Sequence, residues 1–158
     1  SEVYKKQLIE GDTPLVKKIS AKEIQSERKV ELYKKLPESF SKYNEDELRS
    51  TIHLALFLNG ELVSGLTLIK KKLNNSNSSS FQIRGMFTKK KFCNRGYGSI
   101  LIKYVKDEVS KSKNVIFWCN SRKKAINFYI KNGFVEKGNF FLIKKIGLHK
   151  KLFFEKLR

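Results

Sequence analysis

Hydrophobic positions along the chain change rhythm several times, between near-continuous or alternating runs and runs spaced by about four, and each change marks an element boundary. "LVKKIS" (Leu15–Ser20) reads as a short strand that runs into a helix cap. Ser20 and Glu23 stand at the spacing in which the two side chains satisfy each other's backbone N–H groups. Ile24, Leu32 and Leu36, at multiples of four with Tyr33 beside them, predict the helix, and Pro37 ends it. In "TIHLALFLNGELVSGLTLIK" two β-rich runs meet at Asn59-Gly60, a pair suited to a type I′ hairpin turn.

"LNNSNSSS" (Leu73–Ser80) reads as a flexible loop and "FQIRGMFT" (Phe81–Thr88) as the next strand. After a pair of glycines, Leu101, Tyr104, Val105 and Val109 recur at helical spacing. "NVIFWC" (Asn114–Cys119) has the composition of a strand buried on both faces, and "RKKAINFYIKNG" that of a short helix stopped by Asn132-Gly133. Strands near Phe134–Leu142 and His149–Glu155 close the order β-α-β-β-β-α-β-α-β-β, an α/β class with a mixed sheet and helices. No internal repeat is visible. At 158 residues and 40% apolar composition, a single domain over 1–158 is expected, with residues 1–14 either part of it or a loose N-terminal arm.

Charge changes this picture more than composition does. The chain carries 34 Lys+Arg against 15 Asp+Glu, and the excess is uneven: net +3 over residues 1–79 and +16 over 80–158. A basic half faces an anionic ligand or is simply a solvated lysine-rich surface. No apolar run is long enough to span a bilayer, and "SEVYKKQLIE" has no signal-peptide pattern, so no membrane association and a cytoplasmic location are expected. Two cysteines, Cys93 and Cys119, without a C-x-x-C pair or flanking histidines, support neither a disulfide framework nor a metal site.

Chemistry gathers at "NRGYGS" (Asn94–Ser99). A strand, a glycine loop and a helix N-terminus present several backbone N–H groups at the positive end of a helix dipole, a phosphate site in outline. The dinucleotide fingerprint would need a third glycine where Leu101 stands, and the P-loop ending is absent, so both of those readings fail. From Met86 onward the chain instead resembles the GNAT superfamily of acetyl-CoA-dependent acetyltransferases, through "MFTKKKFCNRGYGSILI" and then "VIFWCNSRKKAINFYIKNGFVEKG". Ala125, Phe128, Tyr129 and Gly133-Phe134 fall at the spacing of the family's A-x-x-F-Y-x-x-x-G-F pattern, and "HLALFLNGELVSGLTL" is similar to the preceding hairpin. The resemblance covers roughly residues 15–157 and implies a mixed, mostly antiparallel sheet flanked by helices.

The same resemblance assigns roles. Backbone groups of Met86, Phe87 and Thr88 would pair with the pantetheine arm, and Cys93, Asn94, Arg95, Gly96, Tyr97, Gly98 and Ser99 form the pyrophosphate loop. Cys93 departs from the family pattern, which has a long polar side chain there; it is read either as a small filler or as a thiol activated by the helix start and Arg95. Asn120 is a candidate donor to the cofactor's amides or a strand-end cap. Lys123 and Lys124 stand near the 3′-phosphate or are solvated, and Phe128 belongs to the same cofactor-binding set. No metal is implied.

Tyr129 is assigned the departing thiolate, or else a place in the core. A phenol near pKa 10 gives its proton to a thiolate near 8.5 at a cost of about 2 kcal/mol, so hydrogen bonding is expected, with full transfer only if nearby cations depress its pKa. Phe81–Thr88 offers no carboxylate as a general base, and the histidines, His53 and His149, lie in strand patterns that favour structural roles. A free lysine amine costs about 4–5 kcal/mol to deprotonate at neutral pH, whereas an amine beside hydroxyls costs less, which favours a small anionic amine as acceptor. Glucosamine 6-phosphate is the specific expectation, gripped by Arg84 or a C-terminal lysine, with His149 also at the acceptor. A protein lysine or N-terminal acetyltransferase is the alternative within the class. A basic nucleic-acid-binding module is the alternative outside it, opposed by the core-like spacing of the aromatic residues. Assembly as a homodimer stays open.

Overall fold

The computed structural model describes residues 13–74, 78–109 and 114–157. All but the last two residues of the expected N-terminal arm, and the middle of the predicted loop over 73–80, lie outside these. Among the described residues the order is β1 (Leu15–Lys18), α1 (Ala21–Glu31), β2 (Ile52–Leu58), β3 (Glu61–Lys70), β4 (Ser79–Thr88), α2 (Tyr97–Tyr104), β5 (Val115–Arg122), α3 (Ile126–Lys131), β6 (Val135–Ile143) and β7 (Gly147–Lys156), as the hydrophobic pattern predicts. The seven strands form one sheet in the order β1-β2-β3-β4-β5-β7-β6. β4 pairs parallel to β5 over Ser79–Gln82, while β1 with β2, β5 with β7 and β6 with β7 pair antiparallel. No helix among the described residues is long and apolar enough to cross a membrane.

The fold divides into two compact units, the first of Ser1–Thr67 and Gly85–Leu101, the second of Leu68–Arg84 and Ile102–Arg158. In the first, the predicted capping box forms: Glu23 N donates to Ser20 Oγ at 3.1 Å and Ser20 N to Glu23 Oε1 at 3.4 Å. Such a cap is worth about 1 kcal/mol. The helix ends earlier than Pro37, with Leu32 as its C-cap. Lys29 explains the early end, because its Nζ donates at 3.0 Å to each of the carbonyls of Tyr33, Lys34 and Leu36, groups that a continuing helix would have had to satisfy. The buried residues of α1 are therefore Ile24 and Arg28. Asn59 and Gly60 take φ of 51° and 79°, the conformation of the predicted hairpin turn. Ile24, Leu54, Leu56, Val63 and Leu66, all enclosed, form the apolar core of this unit, each contributing about 1.5–3 kcal/mol.

Aromatic rings dominate the second unit. Phe81 stacks on Phe117 at 5.9 Å, and Phe128, Tyr129, Phe134 and Phe154 follow one another at centroid distances of 5.2, 5.3 and 5.9 Å. Ile116 and Trp118 pack with Leu73, against which Phe153 also lies. Leu73 is thus a core anchor rather than the start of a polar loop, and Trp118 Nε1 donates to Lys71 O at 2.9 Å to fix the same segment. α2 runs on into a π-helical turn over Val105–Val109.

Candidate functional site

In the first unit, β4 ends at Met86–Thr88 and leads through a 3-10 turn (Lys90–Phe92) into the loop before α2. Lys89 N donates to Val63 O at 2.9 Å and Ser64 Oγ to Phe87 O at 2.7 Å. Backbone groups alternate in direction along a strand, so those of Phe87 and Lys89 face β3, and those of Met86 and Thr88 face the opposite edge. Phe87 is buried, and its carbonyl accepts from Ser64 Oγ of β3.

The chain then turns through left-handed backbone at Asn94 (φ 62°) and Gly96 (φ 84°), and the first bond of the helix runs from Ile100 N to Gly96 O at 3.1 Å. Tyr97, Gly98 and Ser99 accordingly form the first turn of the helix, at the positive end of its dipole. The two glycines do different work: Gly96 makes the turn, and Gly98 is a buried residue of the helix itself. Cys93, Asn94 and Arg95 are exposed, and the Cys93 thiol lies 3.5 Å from the carbonyls of Thr88 and Lys89. Tyr97 meets Phe92 edge-on at 6.2 Å, which pins the helix start to the 3-10 turn.

The second unit holds the remaining candidates. Asn120, near the end of β5, is half-buried, and its buried Oδ1 has no hydrogen-bond partner. The unmet group is thus an acceptor, whereas the sequence suggested a donor. Lys123 and Lys124 are exposed in a 3-10 turn that precedes α3, and Lys123 Nζ lies 5.9 Å from the Phe140 ring. Phe128 is half-buried against Tyr129.

Tyr129 is 6% exposed, and its hydroxyl hydrogen-bonds the thiol of Cys119. Burial, followed by the charge and hydrogen bond of that thiol, holds the Tyr129 phenol well above its ordinary pKa. The Cys119 thiol is pushed up to about 12, burial outweighing the hydrogen bonds from Tyr129 and the Leu152 backbone. No depression by cations occurs. At neutral pH the phenol keeps its proton.

Arg84 is half-buried in β4. His149 is 4% exposed, its Nδ1 donating to Gly147 O at 2.7 Å. Burial first, and Arg122 second, lower its pKa against the pull of that carbonyl, so the imidazole is neutral. Sequence reasoning missed Cys119 as the partner of Tyr129. The only available signal was the continuous apolar run of β5, which buries a cysteine without saying what it meets. Among the described residues no group of His, Cys, Asp and Glu side chains could hold a metal ion.

Residues 17–149 match the family model described as an acetyltransferase (GNAT) domain. The chain is 32% identical over 109 residues, 68% of its own length and 73% of the other's, to the uncharacterized N-acetyltransferase YitI of Bacillus subtilis (strain 168). An aminoglycoside 6'-N-acetyltransferase solved with coenzyme A superposes at a TM-score of 0.68 with 11% identity, covering 89% of this chain and 96% of that one. An acetyltransferase of the GNAT family from Streptococcus pneumoniae superposes at 0.61 with 16% identity, covering 91% and 99%. Likeness at these identities concerns the fold.

Proposed function

The chain belongs to the GNAT acetyltransferases, N-acetyltransferases that use acetyl-CoA, and from that membership we propose that it acetylates a primary amine of a small molecule. The observation that carries the reading is the left-handed turn at Asn94 and Gly96, which opens α2 inside the span that matches the family. Acetyl-CoA supplies the acetyl group as an activated thioester. The residues present suit it: Asn120 Oδ1 is a buried acceptor awaiting an amide N–H, and Met86 and Thr88 have backbone groups directed away from β3.

In this reading the first turn of α2 takes the pyrophosphate, since N–H groups and the helix dipole both favour negative charge there. Lys123 and Lys124 supply exposed cations for a further phosphate. Tyr129 acts as a hydrogen-bond donor that keeps its own proton, because burial raises its pKa. A hydrogen bond of this kind helps most once negative charge has developed on the departing sulfur.

For the acceptor, the lack of a carboxylate along Phe81–Thr88 favours an amine whose pKa is already lowered by neighbouring hydroxyls. Amino sugars have that property, and glucosamine 6-phosphate adds an anionic handle for a basic chain. The test is thiol release from acetyl-CoA across glucosamine 6-phosphate, glucosamine, an aminoglycoside, spermidine and a lysine peptide. The phosphate should raise kcat/KM at least about tenfold over glucosamine, the effect of one contact of about 1.4 kcal/mol. Equal rates for the two sugars remove the phosphate handle, and a preference for the peptide removes the small-molecule reading.

A further inference from the structure

Among the described residues Arg28 is the largest side chain enclosed completely, and the chemistry above does not use it. Its Nη1 donates to Asp46 Oδ2 at 2.7 Å and to Ser41 O at 2.9 Å, and its Nη2 to Asp46 Oδ1 at 2.9 Å and Thr67 Oγ1 at 2.6 Å. Asp46, itself buried, also accepts from Gln25 Nε2 at 2.8 Å and from Tyr43 N at 3.0 Å. His53 closes the network, with Nε2 2.9 Å from Asp46 O and Nδ1 2.9 Å from Thr67 Oγ1. A carbonyl can only accept, so Nε2 carries a proton and donates to Asp46 O.

A fully buried ion pair is a weak source of stability, because desolvation consumes most of the Coulombic gain and apolar residues of similar volume often serve as well. Its use lies in what it holds still. The Arg28 guanidinium sits 3.8 Å over the Tyr43 ring, and the Tyr43 hydroxyl is 2.6 Å from that of Tyr33. Both Arg28 and Tyr43 bear on Gly85. This residue interrupts β4 with a φ of +62°, and a Cβ on it would stand 2.8 Å from Tyr43 Oη and 3.0 Å from Arg28 Nε. Met86–Thr88 follow at once. A left-handed residue inside a strand redirects every peptide after it, so the wall behind Gly85 decides where the backbone groups of Met86 and Thr88 point.

We propose that Arg28 is a positioning residue for acetyl transfer: locked by Asp46, it holds Tyr43 against Gly85 and so aims the Met86 and Thr88 backbone at acetyl-CoA. This rests on the assignment of those backbone groups to the cofactor made above. It adds that a buried cluster remote in sequence from β4 sets their geometry, and that the cluster is kept for aim rather than for stability. Misplacement of a reacting group by an ångström can cost about a hundredfold, so even a small slip of the wall is measurable.

Three variants test it, each followed by calorimetric acetyl-CoA affinity, by kcat and KM in thiol release, and by thermal midpoint. Arg28→Met combined with Asp46→Leu removes both charges at similar volume; it should keep a midpoint near the wild type's while weakening acetyl-CoA binding at least about tenfold. Tyr43→Phe removes only the hydroxyl that faces Gly85 and leaves the ion pair intact, so it reports even if the paired variant fails to fold. It should raise Kd and KM for acetyl-CoA about threefold or more with a smaller change in kcat. Gly85→Ala should weaken binding more, and adding Tyr43→Phe to it should restore part of the loss, because the clashing oxygen is gone. Wild-type affinity in Tyr43→Phe and Gly85→Ala, with only their midpoints lowered, would make the cluster purely structural and overturn the proposal. A wild-type protein that does not bind acetyl-CoA would overturn the cofactor assignment and this proposal with it.

Discussion

Each unit of the molecule shelters a long cation from water, and the two do so by different means. In the first, Arg28 is enclosed, its Nη1 and Nη2 meeting a carboxylate, a hydroxyl and a carbonyl while its buried Nε has no partner. In the second, the half-buried Lys106 lies 3.9 Å from the Phe154 ring and 5.5 Å from Phe134, with its Nζ donating to Asn132 O. Directional partners make a rigid region that fails when one partner goes. Ring faces spread the same task over a surface, and such a region fails when volume goes. The candidate chemistry follows the division, since the first unit offers backbone groups aimed by a polar cluster and the second offers Tyr129, a phenol in an aromatic shell whose hydroxyl meets the thiol of Cys119.

The largest effects should separate the two regions by kind. Asp46→Ala strands the Arg28 charge in the interior and should cost about 3–5 kcal/mol in urea denaturation. Phe117→Ala should cost about as much, through the cavity it leaves in the aromatic layer. Replacing Asp46 and Arg28 together by leucine and methionine should recover most of the first loss, whereas no second substitution restores the missing ring. If Asp46→Ala costs less than about 1 kcal/mol, the contrast is wrong.

Tyr129→Phe sharpens the comparison from the catalytic side. Loss of its hydroxyl should reduce kcat about tenfold to a hundredfold, leave acetyl-CoA affinity unchanged, and lower stability by no more than about 1 kcal/mol. Because burial raises the Tyr129 pKa, kcat should show no deprotonation limb from this group up to the ordinary phenol range. A full-rate variant would return Tyr129 to the core. In the same unit Cys119 is enclosed with its thiol pushed up to about 12, so alkylation of the folded protein should label Cys93 and spare Cys119, read by mass spectrometry.

A smaller effect should appear in acid. Burial raises the Asp46 pKa, but the hydrogen bonds from Arg28, Gln25 and the Tyr43 backbone, with the Arg28 charge, more than offset it and hold the carboxyl below its ordinary value. A carboxyl depressed in the folded state contributes stability that is complete above the unfolded value, near 3.9, and is lost as pH falls through the lower folded value. The stability gap between wild type and Asp46→Asn should therefore be level above about pH 5 and shrink below about pH 4. A gap that does not change with pH would mean that Asp46 is not titrating against Arg28.

What the sequence made legible was whatever depends on near neighbours. The cap at Ser20, the turn at Asn59-Gly60 and the order of elements follow from spacing over a few residues, and all are found where they were expected. Arg28 was hidden in plain view: it completes the every-fourth spacing of Ile24, Leu32 and Leu36, but a charged residue reads as solvent-facing, and its partner Asp46 stands in a segment with no periodic signal. The early end of α1 was equally hidden, since it depends on one lysine reaching three carbonyls. The glycine pair marked the loop before α2, but not that Gly96 turns while Gly98 packs. Burial decides the direction of the Tyr129 pKa, and burial is a property of the assembled layer rather than of the A-x-x-F-Y pattern.

The smallest effect tests the softer of the two arrangements. Lys106→Met keeps the apolar stem over Phe154 but removes the charge and the bond to Asn132 O at the end of α3. A cation at a helix C-terminus is worth about 0.3–1 kcal/mol, and one over a partly exposed ring about 0.5–1 kcal/mol. Against both stands desolvation, the largest influence on this amine; Asp107 offsets it in part and Lys103 adds to it, and the net result is a pKa below the ordinary value. The folded state therefore favours the charged form less than water does, and the variant should lose under about 1 kcal/mol at neutral pH. The sign of the pH dependence is fixed as well. With the folded pKa below the unfolded one, the unfolded chain binds more protons in the window approaching pH 10.5, so the wild type should gain on the variant as pH rises through that window. Parallel stability curves there, or a neutral-pH loss as large as that of Asp46→Ala, would show Lys106 to be held as Arg28 is, and the two units would no longer differ in how they bury charge.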